Sequence, residues 1–370
     1  MSEGLYVGLM TGTSMDGIDA ALLDTADKRL RLRAAHSVRH DSELRRRLLA
    51  VDAATPLGEI IALDAQVGRA LAETTLALLD KAGVSRGDVH AIGSHGQTVW
   101  HDPDTPRPTT LQIGDPTRIA QATGITVVAD FRRRDLAAGG QGAPLAPAFH
   151  HAFFASRDEH RVVVNIGGMA NLTHLPAQGE PARVVGFDTG PGNVLLDLWH
   201  GRHRGGPCDA QGQWAASGRV DPVLLARFLD DPYFRRPPPK STGRDYFNMQ
   251  WLERAGVSNH VPSAVQATLA QLTAVSIADA VQGSIPGATR VLVCGGGAHN
   301  RDLMGRLAAA LPTMTVEDTG SAGIAPDWVE AAGFAWLARE ALAGRATNIP
   351  AVTGASGPVP MGAIYPGAAR

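Results

Sequence analysis

The sequence predicts an α/β protein of two lobes, each a mixed sheet flanked by helices. Residues 4–25 have the pattern of a strand, a turn of small residues and a second strand, and residues 161–175 repeat that order. In both halves, apolar stretches of strand length alternate with stretches of helical spacing, which is typical of α/β folds. A run of three glycines follows an apolar strand at residues 290–294. These observations indicate two related α/β halves.

Length and composition agree with this prediction. A chain of 370 residues suggests two domains of about 150 residues each. Hydrophobic residues make up 44% of the chain and charged residues 19%, which allows a large core and argues against disorder. The net charge of −2 gives no basic field for nucleic acid. The two cysteines lie far apart, which fits a reducing compartment.

No targeting or membrane segment stands out in the sequence. The N-terminus has no basic stretch followed by an apolar run. No window approaches the ~20 apolar residues of a membrane span. We therefore expect a cytoplasmic protein without membrane contact.

Apolar periodicity and turn residues place the individual elements. Strands are predicted at residues 5–10, 18–23, 30–38, 125–130 and 290–294. Residues 89–96 are predicted as a strand that ends in a polar loop, residues 109–115 as a strand and turn, and residues 161–175 as two strands joined by a glycine turn. At residues 184–193 an apolar strand leads into a helix to about residue 200. Helices are predicted at residues 42–51, 57–82, 116–124, 264–282 and 326–344. The glycine-rich residues 131–145 are interpreted as a crossing between lobes, and residues 348–365 as irregular. The first lobe is therefore expected at residues 1–130 with about 346–370, and the second at residues 131–345.

The first turn, "GTSMDGID", is longer and richer in small and hydroxylated residues than a simple hairpin turn needs. Exposed backbone N–H groups and hydroxyls in such a turn can cradle an anion. A plain hairpin loop accounts for the same residues. The turn is not a Walker loop, because no Gly-Lys-Ser/Thr and no helix follow it.

Three glycine turns in this order resemble the actin, sugar-kinase and heat-shock ATPase superfamily. That two-lobed, ribonuclease H-like fold holds its active site in the cleft between the lobes. The resemblance implies that "GTSMDGID" is the first phosphate loop, "NIGGMAN" the second and "CGGGAHN" the adenosine turn.

A more specific resemblance extends from Gly8 to about Leu342. Taken together, seven strings resemble the anhydro-N-acetylmuramic acid kinase family: "GLMTGTSMDGID", "SHGQTVWH", "DFRRRDLAAGGQGAPL", "NIGGMANLT", "GFDTGPGN", "PPPKSTGRDYFN" and "VLVCGGGAHN". Such an enzyme hydrolyses the bridge of 1,6-anhydro-N-acetylmuramic acid and phosphorylates O6 with ATP and Mg²⁺. The product is N-acetylmuramic acid 6-phosphate, an intermediate of peptidoglycan recycling. The resemblance also implies a homodimer.

Two carboxylates are the expected catalytic residues, Asp188 and Glu330. Water attack on the anomeric carbon needs a carboxylate base beside the sugar. Asp188 follows an apolar strand, and the resemblance implies that it takes the water proton; an Asx turn capping the next helix is the structural alternative. Glu330 begins a helix, where an acid favours the helix dipole. The resemblance implies that Glu330 also faces the cleft and orders the reacting groups.

The resemblance assigns ATP binding to the three glycine turns, through backbone N–H groups and hydroxyls. Asp16 would hold Mg²⁺ directly or through water, although a turn aspartate needs no metal. The expected ATP contacts are Gly12, Thr13, Ser14, Met15, Asp16, Gly17, Ile18, Asp19, Gly167, Gly168, Gly295, Gly296, Gly297 and Asn300.

Sugar recognition requires polar groups at strand ends, where ligands bind in α/β folds. One of the three consecutive arginines at residues 132–134 is expected to bind the lactyl carboxylate, because the planar guanidinium fork suits a carboxylate; Arg133 is our choice. The other expected contacts are His95, Gln97, Thr98, Asp115 and Asn193. Loop structure alone would also explain each of them.

Two further signals predict no chemistry, and the role of a third, Lys240, stays open. His36 and His40 have a helical metal-site spacing, but their segment alternates like a strand, which separates them by ~13 Å. His150 and His151 are interpreted as structural. Lys240 could reach a phosphate, or belong to a lid or dimer contact.

Two rival functions remain open at this stage. Another sugar or small-acid kinase of the same fold would share the glycine turns but would need no water-activating carboxylate. A nucleotide-gated repressor or chaperone-like ATPase would need a further DNA-binding or peptide-binding domain, for which we expect no room.

Overall fold

A computed structural model of the chain describes residues 4–12, 15–26, 30–103, 105–177 and 184–368. Their contacts divide into two units, Met1–Phe153 with Trp328–Arg370, and Phe154–Asp327. Residues 131–153 and 328–345 thus belong to the first unit, whereas the sequence analysis assigns them to the second lobe.

The first unit is built on a mixed six-stranded sheet. Strands β1 (Leu5–Met10), β2 (Gly17–Asp24) and β3 (Arg31–Arg39) form an antiparallel meander. Strands β4 (Val89–Ser94) and β7 (Val127–Ala129) continue the sheet in parallel to β1. The order from the outer edge is therefore β3, β2, β1, β4, β7.

Helices and a hairpin complete the first unit. The long helix α2 ends at Gly83, whose positive φ of 63° provides the left-handed C-cap. Two strands, β5 (Gln97–Asp102) and β6 (Thr109–Ile113), pair as a separate antiparallel ribbon. The helices are α1 (Ser42–Leu49), α2 (Leu57–Ala82), α3 (Pro116–Thr123), α4 (Arg133–Ala137), α5 (Ala146–Phe154), α13 (Val329–Leu342) and α14 (Pro350–Thr353).

The second unit repeats the strand arrangement of the first. Strands β8 (His160–Ile166), β9 (Met169–Leu175) and β10 (Val185–Pro191) form an antiparallel meander. Strands β11 (Ala288–Cys294) and β12 (Thr315–Asp318) follow in parallel, giving the order β10, β9, β8, β11, β12. The predicted class, two α/β halves on mixed sheets, is confirmed by this repetition.

Helices flank the second sheet, and one of them is buried on all sides. Helix α11 (Pro262–Ser284) is the one helix of the described chain that is long and apolar enough to cross a membrane, and 72% of its 18-residue window is buried inside the protein. That burial is typical of a core helix. The other helices are α6 (Val194–Arg204), α7 (Gln213–Ser217), α8 (Pro222–Leu229), α9 (Pro232–Arg235), α10 (Met249–Arg254) and α12 (Arg301–Ala310).

Two predicted irregular segments contain regular structure. The glycine-rich stretch at 131–145 carries α4 and stays within the first unit, so its interpretation as a crossing is wrong. The tail carries α14 and a last strand, β13 (Ala363–Tyr365), which pairs antiparallel with β7 at the edge of the first sheet. A three-residue strand is too short to show a period of two, and only its partner reveals it.

Helix α13 lies against the first sheet through two glycines. A Cβ at Gly8 in β1 would be 1.8 Å from the Ala331 carbonyl oxygen, and a Cβ at Gly93 in β4 would be 2.0 Å from that of Phe334. The backbone of the helix therefore touches the backbone of the strands. This contact explains why α13 joins the first unit although it comes after the whole second unit in sequence.

We expect Gly8→Ala to lower the free energy of unfolding by about 1–3 kcal/mol or more, because the methyl group would force α13 off the sheet. Gly58→Ala is the matched control, since a Cβ at Gly58 meets nothing within 4 Å. That change should be neutral or stabilising by up to about 1 kcal/mol. Urea unfolding followed by circular dichroism measures both. Equal stability of the Gly8 variant and the wild type would contradict the close contact.

Candidate active site

The turn between β1 and β2 is tight and partly left-handed. Met15 has a positive φ of 55°, and its backbone N–H donates to the Gly12 carbonyl at 3.1 Å. A Cβ at Gly17 would lie 2.3 Å from the Val38 carbonyl oxygen, so the neighbouring strand β3 requires glycine there. Two predicted phosphate contacts, Thr13 and Ser14, lie outside the described residues.

Asp16, the predicted Mg²⁺ ligand, forms an exposed ion pair with Arg45 at 2.7 Å. Among the described residues, no three His, Cys, Asp or Glu side chains form a metal cluster. Mg²⁺ in kinases is commonly held by one or two carboxylates together with substrate phosphates. An exposed ion pair contributes at most about 1 kcal/mol to stability, so a metal ion at Asp16 would displace Arg45 at little cost in free energy.

Gln97 and Thr98 lie in strand β5, so their prediction as loop residues is wrong. The strand forms because it pairs with β6, which sequence periodicity alone does not show. Gln97 is fully buried, and its amide nitrogen donates to the Gly12 carbonyl at 3.3 Å. Its Oε1 atom has no hydrogen-bond partner among the described residues. The Gln97 side chain thus connects β5 to the first turn.

His95 and Arg132 form a buried pair in the first unit. Two nitrogens of the Arg132 guanidinium lie close to Nε2 of His95: Nε donates to it at 3.1 Å, and Nη2 is 2.9 Å away. The third nitrogen, Nη1, donates to the Gly142 carbonyl at 2.8 Å. Burial and the positive charge of Arg132 hold the pKa of His95 well below its usual value, so the ring is a neutral acceptor. Burial also lowers the pKa of Arg132 to about 10, which keeps it charged at neutral pH.

Glu330 lies in the first turn of α13; part of the residue surface is exposed to solvent, but protein surrounds its carboxyl closely enough to oppose ionisation. Its pKa is raised, first by desolvation and also by the negative charge of Asp19, while Arg132 opposes the rise. One helical turn further along, Phe334 packs on His95 with ring centroids 4.8 Å apart. The first unit therefore gathers Asp19, His95, Arg132 and Glu330, of which Arg132 is absent from our predicted contacts.

Arg133, our predicted carboxylate ligand, lies on the outer side of α4. Its side chain is 55% exposed and is 3.4 Å from the Asp130 carboxylate. Arg134 is exposed as well, and only Arg132 of the three is held among other side chains. Asp115 caps α3 by accepting from the backbone N–H groups of Thr117 and Arg118. Sugar binding by Arg133, Thr98 and Asp115 remains a prediction.

Asp188 is the middle residue of β10 in the second unit and caps no helix. Its prediction directly after a strand is wrong, because pairing with β9 extends the strand to Pro191. Its Oδ2 accepts from the backbone N–H of Thr242 at 3.0 Å, and Oδ1 has no hydrogen-bond partner in the described chain. Burial raises the pKa of Asp188 to about 6, against the opposing hydrogen bond from Thr242. A carboxylate with one free oxygen and a pKa near neutrality suits a general base.

The backbone around Asp188 is held by a segment that sequence reasoning did not connect with it. Lys240 accepts from the Asp188 N–H through its carbonyl at 3.0 Å, and the Tyr233 hydroxyl donates to the Asp188 carbonyl at 2.7 Å. The strand register shifts between Asp188 and Gly190, so an irregularity of the ladder directly follows Asp188. In the sequence, the string "PPPKSTGRDYFN" points to function only through the family resemblance.

The predicted second phosphate loop, between β8 and β9, contains two glycines that the fold does not require. Neither Gly167 nor Gly168 has a positive φ, and a Cβ at either would meet nothing closer than 3.6 Å. Asn193 supports this loop by donating from Nδ2 to the Ile166 carbonyl at 3.0 Å and from its backbone N–H to that of Gly167 at 2.8 Å. Asn193 therefore lies beside the predicted phosphate loop.

The triple-glycine turn after β11 contains two glycines that the fold requires and one that it does not. Gly295 has a φ of 76°, and a Cβ at Gly297 would lie 2.3 Å from Ile166 Cγ2, so the fold requires both. A Cβ at Gly296 would meet only Asn193 Nδ2, at 3.9 Å. Asn300 caps α12 by accepting from the Leu303 N–H at 3.0 Å. Asn193 therefore lies next to both Gly296 and the loop at residues 167–168, all within the second unit.

The discounted signals agree with structural roles. His36 lies in β3, while His40 follows the strand. His150 is buried in α5, and burial lowers its pKa to about 3. The Lys240 ammonium lies 4.8 Å from the Tyr233 ring centroid, where burial lowers its pKa.

Comparison with known proteins gives a consistent set of relatives. The anhydro-N-acetylmuramic acid kinase family matches residues 4–367. An anhydro-N-acetylmuramic acid kinase of Xanthomonas campestris pv. campestris is 53% identical over 98% of this chain and 97% of its own length. One from Chromohalobacter salexigens is 49% identical over 98% and 100%. A ROK family glucokinase structure from Streptomyces griseus, with glucose and AMPPNP, shares 16% identity at a TM-score of 0.41, covering 91% of this chain and all of that one.

We expect Gly168→Ala to weaken ATP-analogue binding by about tenfold or more, because the methyl group would occupy space that the fold leaves open. Its unfolding temperature should stay close to that of the wild type. Gly297→Ala should instead lower the unfolding temperature, since its methyl group meets Ile166. Calorimetric titration with AMPPNP and thermal unfolding separate the two effects. Unchanged affinity in Gly168→Ala would contradict the assignment of this loop.

We expect Asp188→Asn to stabilise the protein at pH 7.5. A carboxyl whose folded pKa is about 6 favours the folded state below its unfolded pKa of ~3.9, and this contribution is lost as pH rises through 6. The asparagine carries no such dependence and keeps an acceptor for Thr242. The gain should be on the order of 1–3 kcal/mol at pH 7.5 and should vanish near pH 4. Urea unfolding at both pH values measures it, and a gain independent of pH would contradict the raised pKa.

Proposed function

The chain belongs to the anhydro-N-acetylmuramic acid kinase family, and we propose that it converts 1,6-anhydro-N-acetylmuramic acid, ATP and water into N-acetylmuramic acid 6-phosphate and ADP. It is an ATP-dependent sugar kinase. The finer part of the proposal is that bridge opening and phosphoryl transfer occur in one enzyme. The observation that carries this part is the Asp188 carboxylate, with one free oxygen and a pKa of about 6.

Asp188 would act on water in the proposed reaction. Its free Oδ1 takes one proton as the water oxygen forms a bond to the anomeric carbon and the bond from that carbon to O6 breaks. O6 then forms a bond to the γ-phosphorus while the bond to the ADP oxygen breaks. The proton on Asp188 returns to solvent. The Tyr233 and Lys240 contacts would hold the base in place, because they fix the backbone on both sides of its side chain.

ATP and Mg²⁺ are the proposed cofactors. Phosphoryl transfer depends on positioning and on stabilisation of charge, which Mg²⁺ supplies when it is bound with the phosphates. Asp16 is the proposed protein ligand, and the open space at Gly167, Gly168 and Gly296 supports close approach of the nucleotide. Glu330 is proposed to order the reacting groups.

We further propose that the protein is a cytoplasmic homodimer acting in peptidoglycan recycling. A cytoplasmic place agrees with the two free cysteines and with the burial of α11. Exposed apolar side chains of α2 such as Leu57 and Ile61, 73% and 60% exposed, are candidates for the dimer contact.

Product analysis by mass spectrometry tests the proposal. The sugar, ATP and Mg²⁺ react in ¹⁸O-labelled water, and early samples are quenched because an anomeric hydroxyl slowly exchanges with solvent. We expect a product with one phosphoryl group and one added water, with ¹⁸O at the anomeric carbon. A phosphorylated sugar without the added water would support the rival kinase that leaves the bridge closed. Product prepared in ordinary water and transferred to labelled water controls for exchange.

We expect Asp188→Asn to reduce kcat by at least about 10²-fold, because a general base contributes that much, while ATP binding stays near normal. Asp230→Asn is the matched control, since Asp230 is an exposed carboxylate of the same unit paired with Arg235. Steady-state kinetics and analogue titration measure both variants. Near-normal turnover in Asp188→Asn would show that another group acts as the base.

A further inference from the structure

Asp135 is a fully buried carboxylate that no part of the proposed reaction uses. It lies in α4 and accepts three hydrogen bonds of 2.8 Å. Its Oδ2 accepts from the Gly142 backbone N–H, and its Oδ1 accepts from Asn348 Nδ2 and the Thr353 hydroxyl. Two of the three donors thus come from the C-terminal segment, more than 200 residues away in sequence.

All three donors to Asp135 are neutral groups, and no cationic side chain pairs with this carboxylate within the described residues. Burial of a charge without a counter-charge is costly. A neutral side chain of similar size could fill the same space. Three hydrogen bonds offset the desolvation of this carboxyl, and one of the donors, Gly142, links it to Arg132.

Gly142 connects Asp135 with Arg132. Its N–H donates to Asp135, and its carbonyl accepts from Arg132 Nη1 at 2.8 Å. The loop has little freedom, because a Cβ at Gly140 would lie 2.2 Å from Asp135 Oδ2 and Gly142 has a φ of 69°. The Gln141 N–H also donates to the Thr353 carbonyl at 2.8 Å. The C-terminal segment therefore fixes the carbonyl that orients Arg132.

Arg132 is held on its other side by His95, which accepts through Nε2. A planar guanidinium with two such anchors has one orientation. Arg132 is the positive group that acts on Glu330, and Asp19 is the negative one. A displacement of the Gly142 carbonyl would therefore change the electrostatic balance at Glu330 without touching it.

We propose that Asp135 is a positioning residue: through Gly142 it orients Arg132, so that the C-terminal segment at Asn348 and Thr353 controls the charge around Glu330. The catalytic role of Glu330 belongs to the proposed function, on which the significance of this control rests. The effect of Asp135 on Arg132 and Glu330 lies within the first unit, and it can be measured without substrate.

The test is a titration of the Glu330 carboxyl by ¹³C NMR, with glutamate labelled at Cδ and the resonance assigned by Glu330→Gln. Arg132 lowers the pKa of Glu330, so loss of its orientation should raise that pKa. In Asp135→Asn the side-chain amide cannot accept all three hydrogen bonds, and we expect the Glu330 midpoint to rise by about half a pH unit or more. Arg132→Gln should raise it at least as far.

Thr353 provides a matched pair of variants in case Asp135→Asn does not fold. Thr353→Val removes the hydroxyl at nearly constant volume, and Thr353→Ser keeps it. We expect the valine variant to raise the Glu330 midpoint in the same direction and the serine variant to leave it unchanged. A second control is Thr126→Val, which removes another tail contact, the hydrogen bond from the Gly367 N–H at 3.3 Å, in which neither Asp135 nor Gly142 takes part.

A Glu330 midpoint that stays at its wild-type value in folded Asp135→Asn and Thr353→Val, while Arg132→Gln shifts it, would overturn the proposal. An equal shift in Thr126→Val and Thr353→Val would also overturn it, because general loosening of the tail would then explain the effect. Since the titration needs no turnover, it is independent of whether the ¹⁸O experiment supports the proposed reaction.

Discussion

The first unit depends on the backbone contact between α13 and the strands β1 and β4. Glycine at positions 8 and 93 lets the helix approach to a distance that any side chain would prevent. The helix carries Glu330 in its first turn and Phe334 one turn later, where it packs on His95 and Phe131. Because Gly8 and Gly93 have no side chains, α13 can lie directly on the sheet, and this contact fixes the position of Glu330 at the start of the helix.

In the second unit, burial and hydrogen bonding set the pKa of Asp188. Burial raises the pKa of the carboxyl, while a single hydrogen bond from Thr242 leaves one oxygen free. Additional donors would stabilise the ionised form and make it a weaker base. The backbone contacts from Tyr233 and Lys240 hold the residue without adding donors to its carboxylate. The Tyr233 and Lys240 contacts thus hold the backbone of Asp188, while burial raises the pKa of its side chain.

The glycines of the three turns fall into two physical classes. Gly17, Gly295 and Gly297 are needed because a Cβ would meet the protein itself. The glycines at 167, 168 and 296 have room for a Cβ and ordinary φ angles. A glycine with no steric or conformational reason weakens a loop, since it loses more entropy on folding than alanine. The open space beside these glycines is what the proposed close approach of a nucleotide to the backbone needs, and residue type alone does not distinguish it from turn geometry.

Local patterns in the sequence determined most of the architecture: the strand–turn–strand openings of both halves and the long helices. These features are visible because hydrophobic periodicity and turn residues act over a few neighbours. Only the tertiary structure decided which of the three arginines points inward, that Gln97 lies in a strand, and that the tail supports α4 through Asp135. Each of these depends on a partner distant in the chain, as Arg132 depends on His95 and Asp135 on Thr353. Contacts between such distant segments leave no local period in the sequence.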